Sequence, residues 1–349
     1  MLKKRWIRWT LALLSLPPLL ILAGWLWLKG IDFSHSGGDP QARRADLGWV
    51  PATPSAERGR ILAVVSSAER MLGGSKRAGY ELTELSRAWW VFEAAGFAID
   101  IASPQGGKPP QVLDDDLVDA DYAFLNEPDT QAAVRETLRL DEIDPARYAA
   151  VYIVGGKGAM LDLHGDPALR RILAEVYDAG GVLAAVCHGP AALIGVELAE
   201  GRSLLAGRQV TGFSNAEELF LIDDPVHELG FMLQDGLAAQ AQFIEGPMYL
   251  ENVVRDGRVL TGQNPWSTWA LAEETVRALG VEPAPRPRSS EERAVDLMHH
   301  LHRHGLDAAR DLKSSLGTVD NRLLLMHALI AGMRRDIGRM VDLARLARD

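Results

Sequence analysis

Cysteine is almost missing from this sequence. Cys187 is the only one among 349 residues, so no intrachain disulfide can form and the redox compartment must be read from targeting signals instead. Positive charge is also in short supply. The 37 Lys and Arg are outnumbered by 47 Asp and Glu, a formal net charge of −10, which argues against a nucleic-acid partner because phosphate backbones are held by clustered cations. Two kinds of ligand site lack essential parts. Gly155-Gly156-Lys157-Gly158 has neither the spacing nor the Ser/Thr of a phosphate loop. His299, His300, His302 and His304 crowd one stretch, but no Glu or Cys completes a metal set beside them, so a solvated helix face is expected and no metal. What is present is ordinary for a globular chain: 47% hydrophobic and 24% charged residues, enough for one large domain with appendages or for two domains.

The N-terminus carries the longest apolar run. Lys3, Lys4, Arg5 and Arg8 precede Trp9 to Leu28, a stretch without a charge that is long enough to span a bilayer. Trp6, Trp9, Trp25 and Trp27 lie near its ends, as interfacial aromatics do, and Pro17-Pro18 would kink it. The positive residues before the run place the N-terminus in the cytoplasm and the main domain across the membrane, periplasmic in a Gram-negative cell. The run exceeds a usual signal-peptide core and no A-x-A site follows, so residues 1–29 are expected to be an uncleaved transmembrane anchor. Residues 30–58, rich in Gly, Ser, Pro, Asp and Arg, read as a linker.

Strands and helices alternate from Arg60. Short apolar runs at Ile61 to Ser66, Phe97 to Ala102, Ala149 to Val154 and Val182 to Val186 are each closed by Gly, Pro or polar residues. Glu81 to Ala95 and Asp166 to Ala179 read as helices between them, the first stopped at Gly96. Continuous apolar strands separated by helices predict an α/β fold, a doubly wound, mostly parallel sheet with helices on both faces. Val253-Val254 and Val259-Leu260 flank Asp256-Gly257, a hairpin signal. This domain covers residues 59–284. Glu282 to Arg288, with three prolines, marks its end, and residues 285–349 form a C-terminal helical appendage broken at Gly305 and Gly317.

Cys187 ends the run Val182 to Val186, and His188-Gly189-Pro190 come directly after it. Strand, tight turn and helix are expected there, with the thiol at a helix N-terminus that would favour its thiolate. The alternative is a buried cysteine packed as a small hydrophobe. In such sheets, functional groups gather at the carboxyl ends of strands. The segments after the other strands are Gly79 to Glu84, Gly155 to Gly158 and Ser214 to Glu218, which adds acidic groups and a Gly-rich loop to the thiol and imidazole.

These segments, with Ala102-Ser103-Pro104, Gly155 to Leu163, Ala185 to Pro190, Val210 to Glu218 and Thr261-Gly262-Gln263-Asn264-Pro265, resemble the ThiJ/PfpI superfamily. More narrowly they resemble its glyoxalase III-like branch, within the class I glutamine amidotransferase-like (flavodoxin-like) fold. The resemblance spans roughly Arg60 to Glu282. It implies Cys187 as nucleophile, Glu84 touching its sulfur, His188 as catalytic histidine, and Glu217 or Glu218 as the acid that orients it. It also implies an oxyanion hole from the backbone at Gly156 and His188. The implied reaction converts a 2-oxoaldehyde such as methylglyoxal to a 2-hydroxy acid through a Cys187 hemithioacetal, without cofactor. Two positions depart from the pattern. Lys157 stands where the branch usually carries His, and Ala88 stands where the family has proline, followed by Trp89-Trp90. Lys157 would lower the thiol pKa, bind an anionic substrate or point to solvent.

Other readings remain open at this level. One is a stress-response chaperone or redox-sensing binding module, with Cys187 oxidisable and the C-terminal helices carrying the function. Another is an amide-acting hydrolase; an ammonia-channelling amidotransferase is disfavoured because its second His-x-Glu is not seen. The implied partners are a small aldehyde substrate, the membrane through the N-terminal helix, a second copy of the chain, and a protein partner for the C-terminal helices.

Overall fold

The structure is a computed structural model that describes residues 24, 27–34, 37–113 and 117–349. The chain divides into two compact units, residues 37–287 and a second that joins residues 288–349 to the segment ending at Ser36.

The larger unit is built on a seven-stranded sheet. Its strands are β1 (Arg60–Val64), β2 (Ala98–Ser103), β3 (Leu138–Arg139), β4 (Ala150–Ile153), β5 (Val182–Val186), β6 (Val253–Asp256) and β7 (Val259–Gly262). Their spatial order is β6-β7-β5-β4-β1-β2-β3, parallel throughout except for the β6–β7 hairpin. Every residue of β4 and β5 is buried, as strands covered on both faces must be, and that is why they read as unbroken apolar runs. The chain winds outward from β1 in both directions. The order therefore reverses between β1 and β4, and the crevice beyond their carboxyl ends is where such a sheet places its chemistry.

Helices cover the sheet. Helix α1 (Leu82–Ala94) follows β1, α3 (Pro167–Asp178) precedes β5, and α5 (Thr268–Ala278) follows β7; α2 (Asp119–Asn126) and α4 (Asn215–Leu221) are shorter. Helix α3 buries Leu169, Ile172, Leu173 and Val176, the 3.6-residue stripe of a helix with one wet face, and Asp166 caps it by accepting from Leu169 N at 2.8 Å. Helix α1 is different. Residues Leu82 to Glu93 are all buried, because α1 lies against the sheet, α2 and α5 together. Its charges are consequently paired inside the protein. Arg87 meets Asp121 at 3.1 Å, and Glu93 accepts from Arg44 and from Trp89 Nε1.

The second unit holds α6 (Ser290–His304), α7 (Leu306–Leu316), α8 (Asn321–Met333) and α9 (Ile337–Arg348). Ser289 and Glu292 form a capping box that starts α6, and Asp320 and Asp336 cap α8 and α9.

The membrane anchor has to be corrected. Among the described residues, no helix is long and apolar enough to cross a membrane. Most of the expected span, residues 1–23, 25 and 26, lies outside the described residues. Its described end turns at Gly30, whose N–H donates to Trp27 O at 3.2 Å. Ile31 is buried, and Asp32 O accepts from Asn321 Nδ2 at 2.9 Å, so this segment packs with α8. The single-pass topology, with its N-terminus cytoplasmic and its main domain extracytoplasmic, rested on that span and falls with it.

Candidate active site

Cys187 is the first residue after β5 and has a φ of +59°, one of three non-glycine residues with positive φ among those described. An L residue is strained there, and such strain gathers at functional turns. The surroundings hold it in place. Its N–H donates to Gly262 O at 2.9 Å, and its carbonyl accepts from Phe213 N at 2.8 Å. Glycine at 189 lets the chain turn tightly back over β4, because a Cβ there would stand 2.6 Å from Ile153 O.

Beyond the turn the chain forms a short 3-10 helix, Gly189–Leu193, and not the α-helix expected from the sequence. Little macrodipole is therefore available to the sulfur. Burial pushes the Cys187 thiol up, and the adjacent Glu84 carboxylate pushes it further, while the Gly156 N–H and the Lys157 charge pull it down without reversing the direction. The resting group is a thiol, so its proton needs an acceptor.

His188 is placed to be that acceptor. Cys187 Sγ lies 3.2 Å from His188 Nδ1, and His188 Nε2 lies 2.6 Å from Glu218 Oε2. The carboxylate accepts the Nε2–H and thereby leaves the Nδ1 lone pair facing the sulfur. Phe213 stacks on the imidazole at 4.5 Å and fixes its plane. Burial raises the Glu218 carboxyl, but the charge and hydrogen bond of His188, with help from Lys157, outweigh it and hold Glu218 below its ordinary 4.5. A lowered carboxylate stabilises the fold above that ordinary value, and the contribution is lost as pH falls through the folded-state value. Thermal midpoints measured from about pH 6 to about pH 3 should therefore fall more steeply for the natural chain than for Glu218→Gln; parallel curves would refute the assignment.

Glu84 sits in the first turn of α1, fully buried, and its Oε2 accepts from Gly155 N at 2.7 Å. Gly155 lies where three elements meet. A Cβ there would stand 2.5 Å from Glu84 Oε2, 2.6 Å from Val186 O and 2.8 Å from Cys187 Cβ. Gly156 presents its backbone N–H to the sulfur, and the half-buried Lys157 is the next residue. Cys187, His188, Glu84, Gly156, Lys157 and Glu218 thus converge at the crevice beyond β1 and β4.

Glu217 is held elsewhere. It is the N3 residue of α4, its Oε2 accepts from Ser214 N and Oγ, and its Oε1 accepts from Tyr249 N, Asn264 Nδ2 and Gln263 Nε2. Of the two acids, Glu218 alone bonds the histidine, while Glu217 braces the helix that carries Glu218. Ser214-x-x-Glu217 is a capping-box pattern readable in the sequence, and it could have separated the two. Phe213 and Tyr249 belong to the site with no sequence role foreseen. Tyr249, with φ +55°, donates its hydroxyl to Glu217 O at 2.9 Å.

The chain is similar to several known proteins. "Glyoxalase 3" of Candida albicans is 29% identical over 231 residues, 62% of this chain and 97% of that protein. "Glutathione-independent glyoxalase hsp3101" of Schizosaccharomyces pombe is 28% identical over 235 residues, 64% of this chain and 96% of that protein. The crystal structure of glyoxalase III from Candida albicans superposes with a TM-score of 0.59 at 26% identity, covering 64% of this chain and 98% of that one. The profile of the DJ-1/PfpI family matches residues 76–278, a span that contains Glu84, Lys157, Cys187, His188 and Glu218, and the chain belongs to that family.

Proposed function

We propose that this chain is a glutathione-independent glyoxalase that converts a 2-oxoaldehyde of the methylglyoxal type to a 2-hydroxy acid at Cys187. The observation that carries the reading is the run from Cys187 Sγ to His188 Nδ1 at 3.2 Å and from His188 Nε2 to Glu218 at 2.6 Å. The glyoxalase names of its relatives support the same class of substrate.

The chemistry is set by those groups. His188 takes the thiol proton as sulfur bonds to the aldehyde carbon, and the carbonyl electrons move to oxygen, which is protonated to give a hemithioacetal. The N–H groups of Gly156 and His188 are the donors for that oxygen. A base removes the hydrogen on the former aldehyde carbon, giving an enediol, exchanges that proton with solvent, and delivers a solvent-derived proton to the neighbouring carbon. The product of that shift is a thioester, and water cleaves it, restoring the thiol and releasing the 2-hydroxy acid. Glu84, beside the sulfur, and His188 are the candidates for this proton traffic. Neither glutathione nor an external redox partner enters the balance.

The test is direct. Purified full-length chain given methylglyoxal without glutathione in deuterated water should yield lactate that carries deuterium at C2, read by NMR. No lactate above the rate without protein would overturn the reading. Lactate retaining the aldehyde hydrogen at C2 would overturn the exchange of that proton with solvent during the enediol step.

A further inference from the structure

On the other side of the Ala78–Glu81 segment lies a second cavity, of about 510 Å³, that includes none of the thiol-site side chains in its wall. Its charge runs against the chain as a whole. Arg70, Arg77, Lys108 and Arg135 line it with a single carboxylate, Glu69, in a protein whose formal net charge is −10. Among the described residues, Arg77, Lys108 and Arg135 form no ion pair, while the Arg70 guanidinium donates to Gly74 O at 3.1 Å.

The backbone around these cations is already fixed. Residues 69–78 form a small hairpin in which Ala78 N donates to Glu69 O at 2.9 Å and Met71 N to Lys76 O at 3.1 Å. Arg70 and Arg77 pair directly across it. Like charges set opposite one another across a ladder are destabilising unless something lies between them to offset the repulsion. On the facing wall, Gly107 and Thr137 exchange N–H···O bonds at 3.1 and 3.0 Å, tying the loop of Lys108 to the segment of Arg135. Tyr80 N donates to Pro110 O at 3.1 Å and joins the two walls. A concave, preformed cavity of this size suits a small molecule, and guanidinium forks with an ammonium group suit oxyanions.

We propose that this cavity is a binding site for a small, multiply charged oxyanion, held by Arg77, Lys108 and Arg135 and placed between the opposed Arg70 and Arg77. The shared chemistry is a compact cluster of phosphate or carboxylate oxygens. The site does not depend on the reaction at Cys187. It does share a wall with it, since Gly79 O accepts from Gly158 N and Gly155 O accepts from Glu81 N.

Calorimetric titration of the full-length chain with pyrophosphate and, separately, with citrate tests this and distinguishes a phosphate from a polycarboxylate source. At least one should bind saturably with one site per chain, and more weakly as salt rises. Lys108→Glu/Arg135→Glu, at two exposed positions, should weaken that binding by about tenfold or more. Glu69→Gln, which removes the one opposing charge, should tighten it several-fold. Saturation by neither anion overturns the proposal, as does binding unchanged in the charge-reversed variant. Because the readout is heat of binding, a chain inactive on methylglyoxal would still give the result.

Discussion

Cys187→Ala should leave a folded chain whose conversion of methylglyoxal proceeds no faster than the reaction without protein. The loss is expected on the order of 10³-fold or more, because without sulfur there is no covalent adduct and the proton shift loses its scaffold. His188→Ala should cost about 10²- to 10⁴-fold, the usual range for removing a positioned general base. The two losses should not add. A thiol pushed up by burial and by Glu84 reacts only as its proton leaves, so the base has nothing to do once the sulfur is gone. The double variant should match Cys187→Ala alone. Glu218→Gln should lie between natural and His188→Ala rates, since the imidazole remains but loses the carboxylate 2.6 Å away that orients it and stabilises its charge. Lactate production by NMR, with circular dichroism to confirm folding, supplies the comparison. Retention of more than about a tenth of the natural rate by Cys187→Ala would remove the thiol from the mechanism.

Arg87→Ala should be the most damaging single change to stability outside the site. Asp121 is fully buried and also accepts from Ser86 Oγ and, at 3.0 Å, from Val118 N. Removing the guanidinium leaves a buried carboxylate without its counter-charge, at a cost of about 3–5 kcal/mol. A domain is stable by only about 5–15 kcal/mol, so the urea midpoint should fall markedly. Arg87→Met/Asp121→Asn, which removes both charges and keeps side chains of similar size, should recover much of the loss. Equal midpoints for the single and double variants would show that packing rather than orphaned charge sets the cost.

Much of this arrangement is legible in the sequence, for reasons that differ element by element. Val182 to Val186 reads as a strand with the bounds the structure gives it, because a strand covered on both faces has no polar position to blur its ends. The gathering of Cys187, Glu84 and Gly155 to Gly158 is expected from the rule that open parallel sheets place their loops at one rim. Helix α1 is legible as a helix, but its burial on nearly all sides is not, since Arg87 and Glu93 are satisfied by Asp121 and Arg44, which are distant in sequence. The state of the thiol is read with the wrong sign. Local sequence suggests a helix N-terminus, whereas burial and Glu84 dominate, and neither is a local property. Glu217 and Glu218 are adjacent carboxylates of identical chemistry, and only the helix register separates brace from partner. The apolar N-terminal run illustrates the opposite limit. Composition reads as a membrane span, but among the described residues no helix is long and apolar enough to be one, and Asp32, just after the run, packs with α8 through a contact that hydropathy does not encode.

The strand order carries a consequence for the life of the chain before it is complete. β5 pairs with β4 on one side and with β7 on the other, and Cys187 N donates to Gly262 O at the end of β7. During synthesis β4 is available when β5 emerges, but β7 is not. Until β7 arrives, β5 is an apolar edge with unpaired N–H and C=O groups, the kind of surface that invites association with other chains. The elbow at Cys187 also lacks the carbonyl that anchors it. A chain that stops before Gly262 therefore leaves that edge open, and the hairpin of β6 and β7 is the clasp that both covers the edge of β5 and anchors the turn at Cys187.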